Sequence, residues 1–305
     1  MADKQTILIA GGSGLIGKKL QARFVSEGHE VRLLGRGYKG SRSRDRFYWD
    51  PSKGEMDGEA LRDVTWLVNL AGAAVAGERW TERRKKEIMD SRVDSTRLLV
   101  ETIRETGYKP GKVLSASAVG YYGAVTVPVI FTENSKAGTD FLARVCVQWE
   151  AEAARFRTEL GIPVVIIRIG VVLAREGGAL QQIVKPMRML AGAVPGSGKQ
   201  WVPWIHIDDL AGIMHYTLQQ PGTEGVYNGV SLQYTNFEQL GRAAARSLHK
   251  ILSPVNVPGF LIRLALGEQA GIVLEGSRVS AEKIGMAGYP FRYVDIQTAC
   301  DHLLK

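Results

Sequence analysis

Ser117, followed by Tyr121 and Tyr122, puts one hydroxyl and two phenols into the short segment Ser117-Ala-Val-Gly-Tyr-Tyr-Gly123. Groups of this kind steer a substrate oxygen and pass a proton to or from it, the work of a general acid or base. A Tyr-Tyr-Gly turn equally packs its rings and bonds its hydroxyls without any catalysis, so both readings stand for each tyrosine. A second set of residues, near the start of the chain, has a different use. Gly11, Gly14 and Gly17 follow the apolar run Ile7 to Ala10 at the G-x-x-G-x-x-G spacing that opens a phosphate-binding helix. Gly11 permits the tight turn, Gly14 lets backbone approach a pyrophosphate, and Gly17 lets the new helix pack closely. The free amides around Ser13, Leu15 and Ile16 then face the anion. An ordinary strand-to-helix turn is the poorer reading, because strand and helix patterns flank the glycines.

The second strand bears on which dinucleotide such a turn would hold. It reads as His29 to Leu34, and its end usually carries a carboxylate for the adenosine ribose diol. Here Gly35 and Arg36 stand in that place. A missing carboxylate removes repulsion toward a 2′-phosphate, and a guanidinium offers it a bidentate partner, so the phosphorylated cofactor NADP(H) is favoured. Lys39, Arg42 and Arg44 continue the same loop, which also reads as a solvated basic loop. Asn69-Leu-Ala71-Gly72 closes another strand with small residues suited to run beside a ribose and pyrophosphate.

The elements that position these groups alternate. Strand patterns at Ile7 to Ala10, His29 to Leu34, Thr65 to Asn69, Lys112 to Ala116 and Pro163 to Arg168 are separated by helical periodicity around 82–106 and 140–160. Alternation of this kind specifies an α/β protein with a doubly wound parallel sheet. We expect a dinucleotide-binding domain over 1–170, with a return strand near 225–230, and a smaller, mostly helical substrate lobe over 171–305. Asp208 or Asp209 is the expected N-cap of the helix after Trp204-Ile-His206-Ile. Phe260 to Leu274 is apolar enough for a surface-seeking helix, but Arg263, Gly267 and Glu268 favour packing within the molecule.

Composition narrows the class. With 45% hydrophobic and 23% charged residues the chain is an ordinary globular one. The net charge of +8, from 39 basic and 31 acidic residues, is scattered rather than striped, which disfavours a nucleic-acid partner without excluding one. Cys146 and Cys300 are far apart and lack C-x-x-C spacing, so no metal site and no disulfide framework is expected. The most apolar stretch, Val164 to Ala174, is too short for a bilayer and carries Arg168, so no membrane partner is expected. The polar start Met-Ala-Asp-Lys-Gln passes directly into a strand, so we expect no signal peptide and a cytoplasmic protein. A homodimer is left open.

Taken together, the glycine motif, Asn69-Leu-Ala-Gly72, Arg79-Trp80 with Ser91-Arg92, Ser117 to Gly123, Trp149-Glu150 and Trp204-Ile-His-Ile-Asp-Asp-Leu210 resemble the atypical extended short-chain dehydrogenase/reductases. These are usually labelled epimerase family proteins, of the NAD-dependent epimerase/dehydratase kind. The resemblance runs the length of the chain and includes a characteristic C-terminal module at Leu274-Glu-Gly-Ser-Arg-Val-Ser280 and Gly288-Tyr-Pro-Phe-Arg-Tyr293. It implies a Rossmann-type fold with a substrate lobe and NADP(H) binding, and leaves the reaction largely unassigned. Short-chain dehydrogenases use a Tyr-x-x-x-Lys pair with a serine. Ser117 matches the serine, but Leu142 and Cys146 stand where the pair belongs, and Arg92 stands where the superfamily often has a supporting asparagine. Leu142 moves no proton and Cys146 holds no permanent positive charge, so an acid or base must come from elsewhere.

The remaining candidates rest on position. Arg168 ends a buried strand and needs a partner, either an anion of the cofactor or an internal carboxylate. Glu133, Lys185, Trp204 and His206 are the expected substrate-lining residues. Against them stand a solvated loop acid, a packing tryptophan and a hydrogen-bonded structural histidine. Two functions are compatible with these residues. One is an NADP(H)-dependent oxidoreductase or epimerase acting on a small carbonyl or carbinol. The other is a protein that keeps the dinucleotide site without turnover and serves as a regulator or binds RNA through Lys39, Arg42 and Arg44.

Overall fold

Strand β1 (Thr6–Ala10) is buried on both faces, Ile7 and Ile9 entering one apolar cluster and Leu8 and Ala10 another. A continuous apolar run of this length is what a strand covered by helices on each side requires. The computed structural model describes residues 4–40, 43–189 and 192–305. After β1 come α1 (Leu15–Ser26), β2 (Glu30–Gly35), β3 (Arg46–Asp50), β4 (Glu55–Met56), β5 (Trp66–Asn69), α2 (Glu82–Thr106), β6 (Lys112–Ala118), β7 (Ile130–Phe131) and α3 (Phe141–Thr158). The second half comprises β8 (Val164–Ile169), β9 (Val171–Leu173), α4 (Gly178–Met189), β10 (Trp204–His206), α5 (Ile207–Gln219), β11 (Gly225–Gly229), α6 (Phe237–Ser247), α7 (Gly259–Leu266), α8 (Ala270–Leu274), β12 (Arg278–Val279), α9 (Glu282–Met286) and α10 (Ile296–Leu304).

The main sheet has the order β11-β8-β6-β5-β1-β2-β3-β4, parallel except for the β3–β4 pair. From β1 the chain steps outward to β3, then returns to β5 and steps the other way. The reversal opens a crevice beyond the carboxyl ends of β1 and β5, where an α/β sheet takes its ligand. Leu20 and Phe24 of α1 and Leu210 to Leu218 of α5 cover one face; Leu99 and Ile103 of α2 and Ala153 and Phe156 of α3 cover the other. The doubly wound α/β architecture agrees with the sequence, and the return strand is β11. Strand β3 is additional to the sequence reading, its apolar alternation beginning only at Phe47 behind a charged loop.

A second core joins Leu180 and Val184 of α4 to Leu240 and Ala244 of α6 and Ile296 and Leu303 of α10. The chain beyond residue 170 is shared between the layers, because α5 and β11 complete the sheet layer and Val279, Ala281 and Ile284 enter its core.

Two local expectations are corrected. The N-cap of α5 is His206, whose Nδ1 accepts the Asp208 amide at 3.0 Å, rather than Asp208 or Asp209. Asp208 instead pairs with Lys19 of α1 at 2.5 Å, and Asp209 accepts the amides of Arg292 and Tyr293 at 2.9 and 2.8 Å and the Tyr289 hydroxyl at 3.1 Å. The apolar stretch from Phe260 does not bury itself: α7 has no buried residue, with Phe260 67% and Leu264 78% exposed. Pro258 sets its first turn, and the segment from Gly267 to α8 packs against it. No described helix is long and apolar enough to cross a membrane.

Candidate functional site

Gly11 has a φ of +81°, and a Cβ there would stand 2.7 Å from the Leu70 carbonyl oxygen. Only glycine serves such a turn. A Cβ on Gly17 would lie 2.4 Å from the Gly11 oxygen, so α1 packs against the turn itself. Gly14 differs. It is exposed, its hypothetical Cβ would have the Gly11 oxygen at 3.4 Å as its sole neighbour, and no side chain caps α1. The first helical bond runs from the Lys18 amide to the Gly14 carbonyl at 2.9 Å, leaving the amides of Leu15, Ile16 and Gly17 without intrahelical partners. Open space in front of free amides fits a diphosphate. Ser13 is exposed on the same turn, and Gly178, at the start of α4, brings the lobe to within contact of Leu15.

The register Ala10 to Leu34 sets Gly35 and Arg36 beside this turn. Arg36 is exposed, and among the described residues no hydrogen bond or ion pair occupies it. Lys39 is occupied, pairing with Glu55 at 3.5 Å over the Tyr48 ring; Arg44 is exposed and Arg42 lies outside the described residues. Asn69 is fully buried, donating to Thr96 Oγ1 at 2.9 Å and accepting the Ala71 amide at 3.2 Å. Its side chain therefore shapes the turn at Ala71 and Gly72 instead of reaching into the crevice. Arg92 lies beneath that turn: it donates to the carbonyls of Ile88 and Ala73 at 2.9 and 3.0 Å, stacks 5.2 Å from Trp149, and would stand 3.0 Å from a Cβ on Gly72. Burial lowers its pKa. Arg92 is thus a support of the loop, its two terminal nitrogens held by carbonyls.

At the carboxyl ends of β6 and β8 the side chains close on one another. Ser117 donates to Glu150 Oε1 at 2.6 Å; Arg168 grips both Glu150 oxygens, each at 2.8 Å, and donates from Nη1 to the Tyr122 hydroxyl at 3.0 Å and the Glu133 carbonyl at 3.2 Å. Tyr122 donates to Asn228 Oδ1 at 2.6 Å. Ser117, Tyr122 and Arg168 are 2%, 2% and 3% exposed. The partner of Arg168 is an internal carboxylate, and burial, which would lower its pKa, is overridden by Glu150, which raises it. Burial pushes the Tyr122 phenol up to about 12, which unsuits it to proton transfer near neutrality. Ser117 and Tyr122 consequently face partners of this network, while Tyr121 remains half-buried at its rim with its ring 3.3 Å from the Arg168 guanidinium. Leu142 and Cys146 pack against Gly120, and burial pushes the Cys146 thiol up to about 12.

Glu150 is the residue the sequence reading missed as a functional side chain. It sits one helical turn beyond Cys146 and two beyond Leu142 on α3, so the need of buried Arg168 for a carboxylate pointed to it.

The substrate-lining candidates disperse. Glu133 accepts the Asn228 amide at 2.8 Å. Trp204 is fully buried in the lobe core, with Nε1 donating to Thr235 at 2.9 Å, and His206 is fully buried, stacked 3.7 Å from Tyr293 with Nε2 3.1 Å from His302. Neither lines a cleft, because an inward-facing position on a strand between two lobes is here a core position. Lys185 is exposed on α4. Histidines and carboxylates also meet at Glu27, His29 and His215. There the δ nitrogens accept from the Gln5 amide and Arg23 Nε, so these lone pairs are already taken and make poor metal ligands.

A nucleotide crevice at the switch point, a glycine turn feeding a helix and a distinct C-terminal module define the class: the chain belongs to the NAD-dependent epimerase/dehydratase family, whose match spans residues 7–229. Residues 257–303 match a domain of unknown function, DUF1731. More particularly, the chain is 35% identical to the chloroplastic epimerase family protein SDR39U1 homolog of Arabidopsis thaliana, over 99% of this chain and 88% of that protein. It is 33% identical to the epimerase family protein YfhF of Bacillus subtilis, over 98% of this chain and 97% of that one. A crystal structure of human epimerase family protein SDR39U1 with NADPH superposes with a TM-score of 0.87 at 30% identity, covering 98% of this chain and 99% of that chain.

Proposed function

We propose that this protein is an NADP(H)-dependent oxidoreductase or epimerase acting on a small carbonyl or carbinol, with a centre that lacks the Tyr-x-x-x-Lys pair. The observation that carries the reading is the open space at Gly14 before the first turn of α1, which no side chain caps, with Arg36 exposed beside it. When bound, the nicotinamide supplies hydride exchange. The chain's own residues do the rest: Gly11, Gly14 and Gly17 admit the diphosphate to the amides of Leu15 and Ile16, Arg36 meets the 2′-phosphate, and the phenol of Tyr121 bears the proton for the substrate oxygen. NADPH bound to the human relative supports the cofactor assignment. Two buried, unpaired cysteines support a reducing, cytoplasmic compartment.

Fluorescence titration tests the cofactor: NADPH binds more tightly than NADH, and Arg36→Ala weakens NADPH by about tenfold while leaving NADH unchanged. Equal affinities in the unaltered protein remove the role of Arg36. Hydride transfer to a panel of sugar, steroid and quinone carbonyls tests the chemistry, with Tyr121→Phe expected to abolish turnover and Tyr122→Phe to act through stability. A second reading, dinucleotide binding without turnover, is favoured by Leu142 and Cys146 at the usual catalytic positions and by the internal partners of Ser117 and Tyr122. Protein that binds NADPH and reduces no carbonyl decides for it.

A further inference from the structure

The charges beneath the crevice end of β5 and β6 do not balance. Glu150 is spent on Arg168, which takes both of its oxygens at 2.8 Å. Arg84 is met by Glu87 at 2.6 Å and Glu78 at 3.8 Å. Arg92 has no such partner: among the described residues no ion pair reaches it, and its two hydrogen bonds go to the neutral carbonyls of Ile88 and Ala73. Cys146 offers no counter-charge, because burial pushes its thiol up to about 12. The Trp149 indole, 5.2 Å from the guanidinium, holds its own N–H buried without an acceptor. Carbonyls satisfy donors without cancelling a charge, so one positive charge is left over.

Glycine sets the depth of that charge. A Cβ on Gly72 would stand 3.0 Å from Arg92 Cζ and 3.2 Å from Nε and Nη2, while Gly72 itself is exposed. The missing side chain lets the guanidinium come up against the backbone of the turn, just beneath the crevice floor. Gly72 follows β5, which flanks β1 on the side away from β2. With the diphosphate assigned to the glycine turn after β1 and the 2′-phosphate to Arg36 after β2, the order β2-β1-β5-β6 leaves the ends of β5 and β6 to the nicotinamide half. Cys146 marks the same place, since it stands where the lysine of the Tyr-x-x-x-Lys pair belongs. Arg92 reaches α3 at Trp149, three residues further on, so the cation missing from α3 is present from α2.

An oxidised nicotinamide ring is positively charged and a reduced one is neutral, whereas the phosphates and the adenosine are the same in both. A fixed, unmatched cation acts on that single difference. We propose that Arg92 sets redox-state specificity: its unpaired guanidinium beneath Gly72 disfavours the cationic, oxidised nicotinamide, so the protein holds NADPH more tightly than NADP+. This specificity rests on the dinucleotide reading of the crevice and deepens it. It applies equally to a protein that reduces a carbonyl and to one that binds NADPH without turnover.

Calorimetric titration of the full chain with NADPH and, separately, with NADP+ tests it at one pH and ionic strength. The unaltered protein is expected to bind NADPH about tenfold more tightly than NADP+, a ratio that shrinks to within about twofold in Arg92→Gln and persists in Arg92→Lys, which keeps the charge. An Arg92 that only supports the turn gives a different result: Arg92→Gln then weakens both nucleotides alike and leaves the ratio unchanged, which overturns the proposal. Loss of the ratio in both variants also overturns it, because shape and not charge is then responsible. Equal affinity of the unaltered protein for the two forms overturns it as well, and that measurement stands even if Arg92→Gln does not fold. Binding of neither nucleotide removes the dinucleotide reading itself, whereas equal binding of both removes only the role of Arg92.

Discussion

The two ends of the crevice are built in opposite ways. At β1 and α1 the site is made by side chains that are missing: Gly11 and Gly17 let backbone approach backbone, and Gly14 leaves space in front of free amides. At β6 and β8 the place where a catalytic pair would project is filled, with Ser117, Glu150, Arg168, Tyr122 and Asn228 each bonded to the next. A site of the first kind is ready to take up a ligand, since its donors have no other use. One of the second kind stabilises the fold and offers a substrate only its rim. This chain therefore pairs an open glycine turn with a closed hydrogen-bonded network around Ser117 and Tyr122.

The contrast breaks most visibly at Glu150. Glu150→Ala leaves Arg168 buried without its carboxylate and costs about 3–5 kcal/mol in urea unfolding, with the NADPH affinity of the folded fraction unchanged. A loss below about 1 kcal/mol means the pair is not a closed structural unit. On the other side, Gly17→Val drives a side chain into the turn and costs about 1–3 kcal/mol together with NADPH binding. Gly14→Val separates shape from stability: unfolding free energy falls by no more than about 1 kcal/mol, the cost of a poorer N-cap, while NADPH binding disappears. If Gly14→Val binds NADPH normally, the contrast between an open end and a filled end collapses. The smallest effect near neutrality is a shared background. His206 and His215 on either side of the start of α5 are pushed down to about 4 by burial, from 6.5. The unfolded chain therefore takes up protons first as pH falls, so Tm is level above pH 6.5 and declines between 6.5 and 4. A Tm that holds through that window shows that these rings are protonated in the folded protein.

How much could be read in advance obeys the same division. The glycine turn, the apolar strands and the return strand are local or periodic features, and seven consecutive residues from Gly11 to Gly17 suffice to specify the turn. The network at β6 and β8 draws on residues as far apart as Ser117 and Asn228, so only the fold brings them together. Arg168 announced its need for a partner, yet the choice between a ligand and Glu150 depended on how α3 lies against β8. His206 and Trp204 alternate correctly on β10, but alternation does not say whether the facing layer is solvent or a second core. The apolar character of α7 was plain in the sequence; that Phe260 and Leu264 would stand exposed was not.

Asp209 has a consequence for how the protein is made. The amides that satisfy its carboxylate lie 83 and 84 residues downstream, on Arg292 and Tyr293, and its neighbour Asp208 holds α1 through Lys19. A nascent chain that has already emerged through α5 still holds that carboxylate unanswered in an apolar setting, a costly arrangement. A polypeptide cut short before residue 292 therefore lacks both of these amides, and closing α5 against the sheet without them would leave the Asp209 carboxylate short of its donors.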